Sequence, residues 1–309
     1  MKLKKFPDFE PLDLKHKDVL KKIADGFPSY SDFNFVSLFS WDTKGSIAVS
    51  VCNENLIIKF TDYIDNSEFY SLLGTNRLEE TIEILIKQAK KSGIRTDLSL
   101  VPESVVKKLK KANFSDGLVI NEDPDNHDYI ISVGELVEFK TNRFRGKKNL
   151  LNRFSRQYGE GSESLELDLR DVKTQKEIIQ LLSDWQSSRN RQDHEVHNEF
   201  QAIRRSLDNH HYLEIKGFGV RYNDKLIAFT LFEVLKNKVA IIHFDKANVH
   251  FEGIFEHLKH NFAKHLAQMN IELINYEQDL GIEGLRRAKQ SYHPVNYLKK
   301  YTISLANKK

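Results

Sequence analysis

Apolar residues recur along this chain with two periods, and the alternation between them marks out strands and helices. A short amphipathic stretch covers 19–24, and the aromatic-rich run FPSYSDFNFVSLFSW follows at 27–41. Runs at 47–52 and 56–60 read as strands joined through Asn53 and Glu54, whose polarity and turn tendency suit a hairpin. Leu78, Ile82, Leu85, Ile86 and Ala89 then recur at spacings of three and four, and Gly93 stands where a helix C-cap glycine belongs. A second helix is predicted over 102–111, with proline in the first turn, where a missing N–H costs nothing. A strand at 129–133 is expected to close this half.

Lys140, Arg143, Arg145, Lys147, Lys148, Arg153 and Arg156 come next, with no acid among them. Leu150, Leu151 and Phe154 give the segment an apolar helical face, so it reads as a helix joining two halves. The second half, beginning near Gly159, is expected to run strand 165–169, helices 172–189 and 195–207, then strands 212–222, 226–235 and 239–244. The polar turns Asn223-Asp224 and Lys236-Asn237 make those three an antiparallel meander. In the long helix that follows, Phe251, Ile254, Phe255, Leu258, Phe262, Leu266 and Met269 form the apolar stripe, and Glu252, Glu256, Lys259 and Lys264 the polar face. Strand 271–275, helix 282–290 and strand 296–305 end the chain.

Length turns this pattern into domains. At 309 residues the chain exceeds the usual single core. The expected division is an N-terminal domain at 1–140, a basic connecting helix at 141–158 and a C-terminal domain at 159–309. Forty per cent apolar and 29% charged residues, with 14 Gly and 6 Pro, describe an ordered globular protein. The single cysteine, Cys52, excludes an internal disulfide and a multi-cysteine metal site; it reads as core and suits a reducing, cytoplasmic location. No signal peptide is visible, and no segment approaches the roughly 18 apolar residues of a membrane helix. A net charge of +3 leaves any argument for nucleic acid to local clusters, and the run up to Arg156 is the one present.

Three separated segments carry a resemblance: FPSYSDFNFVSLFSW at 27–41, RFRGKKNLLNRF at 143–154, and HFDKA at 243–247 together with NYEQDLGIEGLRRAKQSYHP at 275–294. Together they resemble bacterial proteins, of largely unassigned role, that share the C-terminal domain of phosphatidylglycerol lysyltransferases. The resemblance covers essentially the whole chain. It implies an α/β (α+β) fold of two tandem GNAT-like domains with mixed, mostly antiparallel sheets, a shared cleft, and acyl transfer with aminoacyl-tRNA as donor. The lysyltransferases also carry a large membrane-embedded N-terminal region, which this sequence lacks.

Aminoacyl transfer needs a held acceptor, stabilisation of an oxyanion and often a base. Glu277 and Asp279, two apart beyond strand 271–275, are expected on one face as a carboxylate pair for an ammonium. Arg286 and Lys289, three apart on the next helix, share a face suited to phosphate or carboxylate, and Tyr292 stands near them. Asn275 and His243 join the same candidate substrate site. Gly281 and Gly284 bracket that helix's start, where free N–H groups favour an anion, although a glycine there can also simply make a turn. The alternative for all these charges is a buried salt-bridge network tying strand and helix together.

Where a coenzyme-A-binding member would place a glycine-rich loop, the chain reads DKANVHFEG and offers Gly253 alone, which favours another donor. Lys246 in that stretch is a candidate phosphate contact or an exposed strand-end lysine. Arg143, Arg145, Lys147, Lys148 and Arg153 are candidates for tRNA phosphates, against a solvated helix face. Phe144, Phe154 and Tyr158 can stack on bases or fill core. His257, His260 and His265 share a helix, but His194 and His197 in HEVH lack the spacing of a zinc motif, so no metal is expected. Two rival readings stay open: acetyl-CoA-dependent N-acetylation of a small amine, and a non-catalytic binder of a charged metabolite.

Overall fold

A computed structural model describes residues 2–62, 65–112, 117–139, 142–188 and 194–306. Lys140 and the side chain of His194 lie outside the described residues. From the N-terminus the elements are β1 (Glu10–Pro11), α1 (Lys17–Ala24), α2 (Phe35–Trp41), β2 (Ala48–Cys52), β3 (Asn55–Thr61), β4 (Glu68–Leu73), α3 (Leu78–Ser92), β5 (Leu98–Pro102), α4 (Glu103–Lys111), β6 (Leu118–Glu122), β7 (Asp128–Ser132) and α5 (Val133–Glu138). They continue with α6 (Arg145–Tyr158), β8 (Ser162–Leu167), α7 (Val172–Ser188), α8 (His194–Asp208), α9 (His210–Leu213), β9 (Lys216–Tyr222), β10 (Lys225–Val234), β11 (Val239–Ala247), α10 (Ile254–Gln268), β12 (Leu273–Asn275), α11 (Glu283–Gln290), β13 (Asn296–Leu298) and β14 (Lys300–Leu305).

These elements build two mostly antiparallel seven-stranded sheets flanked by helices. The first has the order β1-β2-β3-β4-β5-β14-β6 and the second β13-β7-β12-β11-β10-β9-β8. Two compact units result: Met1–Asp128 with Gln278–Arg286 and Tyr297–Lys309, and Tyr129–Glu277 with Arg287–Asn296. The units differ from the expected division at 140 and 159 because two strands lie in the other half's sheet. β7, expected to close the first half, pairs antiparallel with β12, Ile131 opposite Ile274. β14, expected in the second half, runs between β5 and β6 of the first sheet. A hydrophobic run specifies a strand, but the free edges left by other strands specify its partner.

Local chemistry explains the first unit's elements. Asn53 and Glu54 both adopt left-handed backbone (φ +48 and +64), the pair of conformations that matches the twist of the β2–β3 hairpin. α3 buries Leu78, Ile82, Leu85, Ile86 and Ala89 and stops at Gly93, whose φ is +69. The aromatic run is helical from Phe35, because the Asn34 side chain accepts a hydrogen bond from the Ser37 N–H and caps α2.

In the second unit β9, β10 and β11 form the expected meander. Pairing there passes from Leu231↔Phe244 to Phe232↔Ile242, so His243 is an extra residue, a β-bulge in β11. α10 packs on α5 and α6 and buries Leu258, Phe262 and Leu266. Its polar face is not all solvated as expected: Glu256 and Lys259 are buried, because α6 and β11 supply opposite charges to them. α6 fixes itself to the start of α10 through Phe154, which is fully buried with its ring 4.3 Å from that of His257. Gly253 is required at this crossing: it has φ +83, and a Cβ there would lie 2.2 Å from the Leu150 carbonyl oxygen. Among the described residues no helix is long and apolar enough to cross a membrane.

Candidate functional site

The bulge turns His243 toward two carboxylates in the second unit. Its Nδ1 lies 3.2 Å from Glu277 Oε1 and its Nε2 3.7 Å from Glu233 Oε1, with the imidazole fully buried. Burial pushes the imidazole pKa down, but the hydrogen bonds and charges of Glu233 and Glu277 prevail and raise it to about 9. His243 thus lies between two carboxylates, and Glu277 is the more exposed of the pair, at 15% against 11%. Buried Asn275 accepts the Glu277 N–H on its side-chain oxygen at 2.8 Å, which holds the left-handed backbone of Glu277 (φ +53).

Beyond the bulge, Asp245 turns to α10. Its Oδ2 lies 2.5 Å from Lys259 Nζ and accepts the Tyr276 hydroxyl at 2.8 Å, while Lys259 sits 4.0 Å from the centre of the Tyr276 ring. Burial pushes the Lys259 pKa below the usual lysine range, and Asp245 offsets only part of that. Lys289 also lies over Tyr276, at 5.3 Å. Tyr292, its N–H bonded to the Lys289 carbonyl at 3.1 Å, is buried with Lys147 4.0 Å over its ring, and Lys147 pairs with Glu256 at 3.0 Å. On α7 and α8, Trp185 and Glu199 hold Lys246, at 4.2 Å from the ring centre and 2.7 Å respectively, so it is not a bare strand-end lysine.

Glu277 and Asp279, expected on one face, have different partners. The positive φ of Glu277 ends the strand's alternation, and Asp279 belongs to the first unit. There Asp279 is fully buried and accepts from Gly281 N at 2.8 Å, Arg286 Nε at 3.0 Å and the Arg286 terminal nitrogen at 2.8 Å. The same guanidinium reaches Asp125 at 2.5 Å, and these two acids raise the Arg286 pKa further above its ordinary value. Arg286 is thus the holder of a loop, the salt-bridge alternative read from sequence.

The first unit holds a second buried charge cluster that the sequence did not point to. Lys300 is fully buried, 2.7 Å from Asp128 Oδ1 and in contact with Asp32. Burial pushes its pKa down, yet Asp128 and Asp32 hold it above the usual lysine range. Asp128 also accepts the Ser31 N–H at 2.8 Å and hydroxyl at 2.6 Å, which explains Ser31 and Asp32 within the aromatic run. Glu233, Asp245, Lys259 and Tyr276 were likewise missed in the second unit; the only signal was polar residues interrupting apolar stretches.

The basic segment separates into two groups. Arg143 pairs with Glu135, Lys147 with Glu256 and Arg153 with Glu252, whereas Arg145, Lys148 and Arg156 are exposed. Phe144, Phe154 and Tyr158 are core, packing on His293, His257 and Phe251. The α10 histidines also pack: His257 Nε2 meets Ser164 Oγ at 3.2 Å, His260 meets the Leu136 carbonyl at 3.0 Å, and His265 stacks on Phe218. Among the described residues no three His, Cys, Asp or Glu side chains could hold a metal ion together.

Known proteins resemble the whole chain. A model of the family "Phosphatidylglycerol lysyltransferase, C-terminal" matches residues 26–304. A conserved protein of unknown function from Bacteroides thetaiotaomicron has a structure 27% identical in sequence, with a TM-score of 0.84 over 96% of this chain and 99% of that one. The C-terminal domain of a protein assigned as a lysylphosphatidylglycerol synthetase from Agrobacterium fabrum is 15% identical, with a TM-score of 0.66 over 95% and 92%. A tandem GNAT protein from the clavulanic acid biosynthesis pathway shares the fold at 9% identity and a TM-score of 0.50, over 98% and 99%. No curated protein matches the chain significantly.

Proposed function

This chain belongs to the phosphatidylglycerol lysyltransferase C-terminal family, with an acyltransferase fold of tandem GNAT type, and we propose that it transfers an aminoacyl group from aminoacyl-tRNA to a small-molecule or lipid-head-group acceptor. The observation that carries this reading is the placement of partly exposed Glu277 3.2 Å from buried His243, with Glu233 on the imidazole's other side. A partly exposed carboxylate backed by a second, buried one suits an ammonium, the group that every aminoacyl ester carries and that lysine carries twice. Glu277 is the binding carboxylate in this reading. His243, Glu233 and Asn275 position it, and Asp279 with Arg286 holds the following loop.

In the reaction, the acceptor's amine or hydroxyl attacks the ester carbonyl. The acceptor proton leaves to a base, and the tRNA 3′ hydroxyl departs with the former ester bond's electrons. The reading favours tRNA over acyl-CoA as donor because α6 lies against the first turn of α10, where a coenzyme A pyrophosphate would need open N–H groups.

Labelled aminoacyl-tRNAs incubated with the purified protein and with amines or phosphatidylglycerol vesicles test it. Ester consumption with product formation is expected, and Glu277→Gln is expected to lower kcat/KM by about 30- to 100-fold, the loss of one charged hydrogen bond. Failure to consume any aminoacyl-tRNA overturns the proposal.

A further inference from the structure

The ladder between β11 and β12 runs to Ile241↔Asn275, and past that pair side chains tie β11 to the segment that carries Glu277. His243 meets Glu277 at 3.2 Å, and Asp245 accepts the hydroxyl of Tyr276, the residue before Glu277, at 2.8 Å. The two ties lie on opposite faces of the sheet. Glu233, the other carboxylate beside His243, pairs with Ile241, while Thr230 pairs with Asp245, and residues three apart on β10 point to opposite faces. The Asp245 face is the one α10 covers. Lys259 reaches it from that helix, with its Nζ 2.5 Å from Asp245 and 4.0 Å from the centre of the Tyr276 ring, and is itself fully buried. Lys147, which is paired with Glu256, and Lys289, over the Tyr276 ring, are further charges about this cluster.

We infer that Lys259 is a positioning residue for Glu277: it holds Asp245 against the Tyr276 hydroxyl, and so fixes, from the reverse face of the sheet, the segment that presents the binding carboxylate. The inference rests on the reading of Glu277 as the carboxylate that receives the donor's ammonium. A buried lysine and aspartate contribute little net stability, because desolvation offsets most of their attraction and apolar residues of similar volume pack as well. Their worth here lies in orientation. Tyr276 N–H donates to the Tyr129 carbonyl at 2.8 Å and Tyr129 N–H to the Glu277 carbonyl at 3.2 Å, which sets the segment's spacing from β7. Its spacing from β11, where the ladder has ended, is set by the two side-chain ties. Of these, the Asp245–Tyr276 tie makes no use of the Glu277 carboxylate, so it stays in place when that carboxylate turns to a ligand.

Titration of His243 by NMR in the folded protein reads the position of Glu277 without any transfer reaction. The Glu277 carboxylate raises the imidazole's midpoint, so a segment that drifts from His243 lowers it toward the ordinary 6.5. Two variants make the test. Tyr276→Phe removes one hydroxyl, and D245L/K259M removes both members of the ion pair, which leaves no buried charge uncompensated and changes the direct field at His243 little. Each is expected to lower the midpoint by about 1 pH unit. In a Glu277→Gln background, Tyr276→Phe is expected to move the midpoint no further. A midpoint unmoved in either folded variant overturns the assignment, and so does an equal shift in the Glu277→Gln background, because the effect would then bypass Glu277. Aminoacyl-tRNA left unconsumed by the unaltered protein, with the midpoint shifts present, would overturn only the transfer reaction and retain Lys259 as the residue that positions Glu277.

Discussion

At the scale of single residues, His243 links the candidate site to pH. Its pKa of about 9 in the folded protein exceeds the ordinary value of 6.5, so its stabilising contribution is complete below pH 6.5 and disappears as pH rises through about 9. The shift corresponds to about 3 kcal/mol for this buried group. Urea unfolding between pH 6 and 10 is expected to show that loss, and His243→Asn is expected to flatten it; the same slope in both proteins would assign the pH dependence elsewhere. Lys300 makes a different demand. Lys300→Met leaves Asp32 and Asp128 buried without a counter-charge, which costs about 3–5 kcal/mol. Adding Asp32→Asn and Asp128→Asn should recover most of that cost in the same unfolding measurement. Glu277 and His243 entered through the motifs NYEQDLG and HFDKA, but the bulge that sets His243 between Glu233 and Glu277 has no sequence signal. Lys259 was not legible: helical periodicity assigns a lysine to the solvent side unless a carboxylate such as Asp245 awaits it.

Among the elements, α6 and its crossing with α10 carry the most testable packing. Phe154→Ala removes a fully buried ring and is expected to cost about 3–5 kcal/mol. Gly253→Ala puts a Cβ against the Leu150 carbonyl at a left-handed position, so a loss of at least about 1 kcal/mol is expected in thermal unfolding. Tolerance of either change would mean that α6 is not fixed on α10. Periodicity and turn chemistry made several elements legible: the Asn53-Glu54 hairpin, α3 with its Gly93 cap, and the three-stranded meander. Strands β4, β5 and β6 were passed over, since each is only five or six residues long and lies next to a stronger helix or turn signal. Helix α2 was hidden by aromatic density, with the Asn34 cap as the readable sign.

For the whole molecule, the strand exchange decides what can be cut. A fragment ending at residue 140 would carry β7, whose partner β12 is absent, and would lack β14 and Lys300 from its own sheet. Such a fragment is expected to show little amide protection in β5 and β6, and native-like protection there would contradict the sheet order. Topology was the least legible level, because apolar alternation in 300–305 is satisfied equally by either sheet; only the vacant edges of β5 and β6 select one. The exchange also sets a schedule for birth on the ribosome. Lys300 is made 172 residues after Asp128, a delay of about 10 to 30 s at ordinary elongation rates. Throughout that interval the emerging first unit holds two unneutralised aspartates and an open sheet edge. The first unit of a nascent chain therefore depends on β14, and a premature stop before Lys300 is expected to leave that unit to the cell's proteases while every strand of the second sheet has been made.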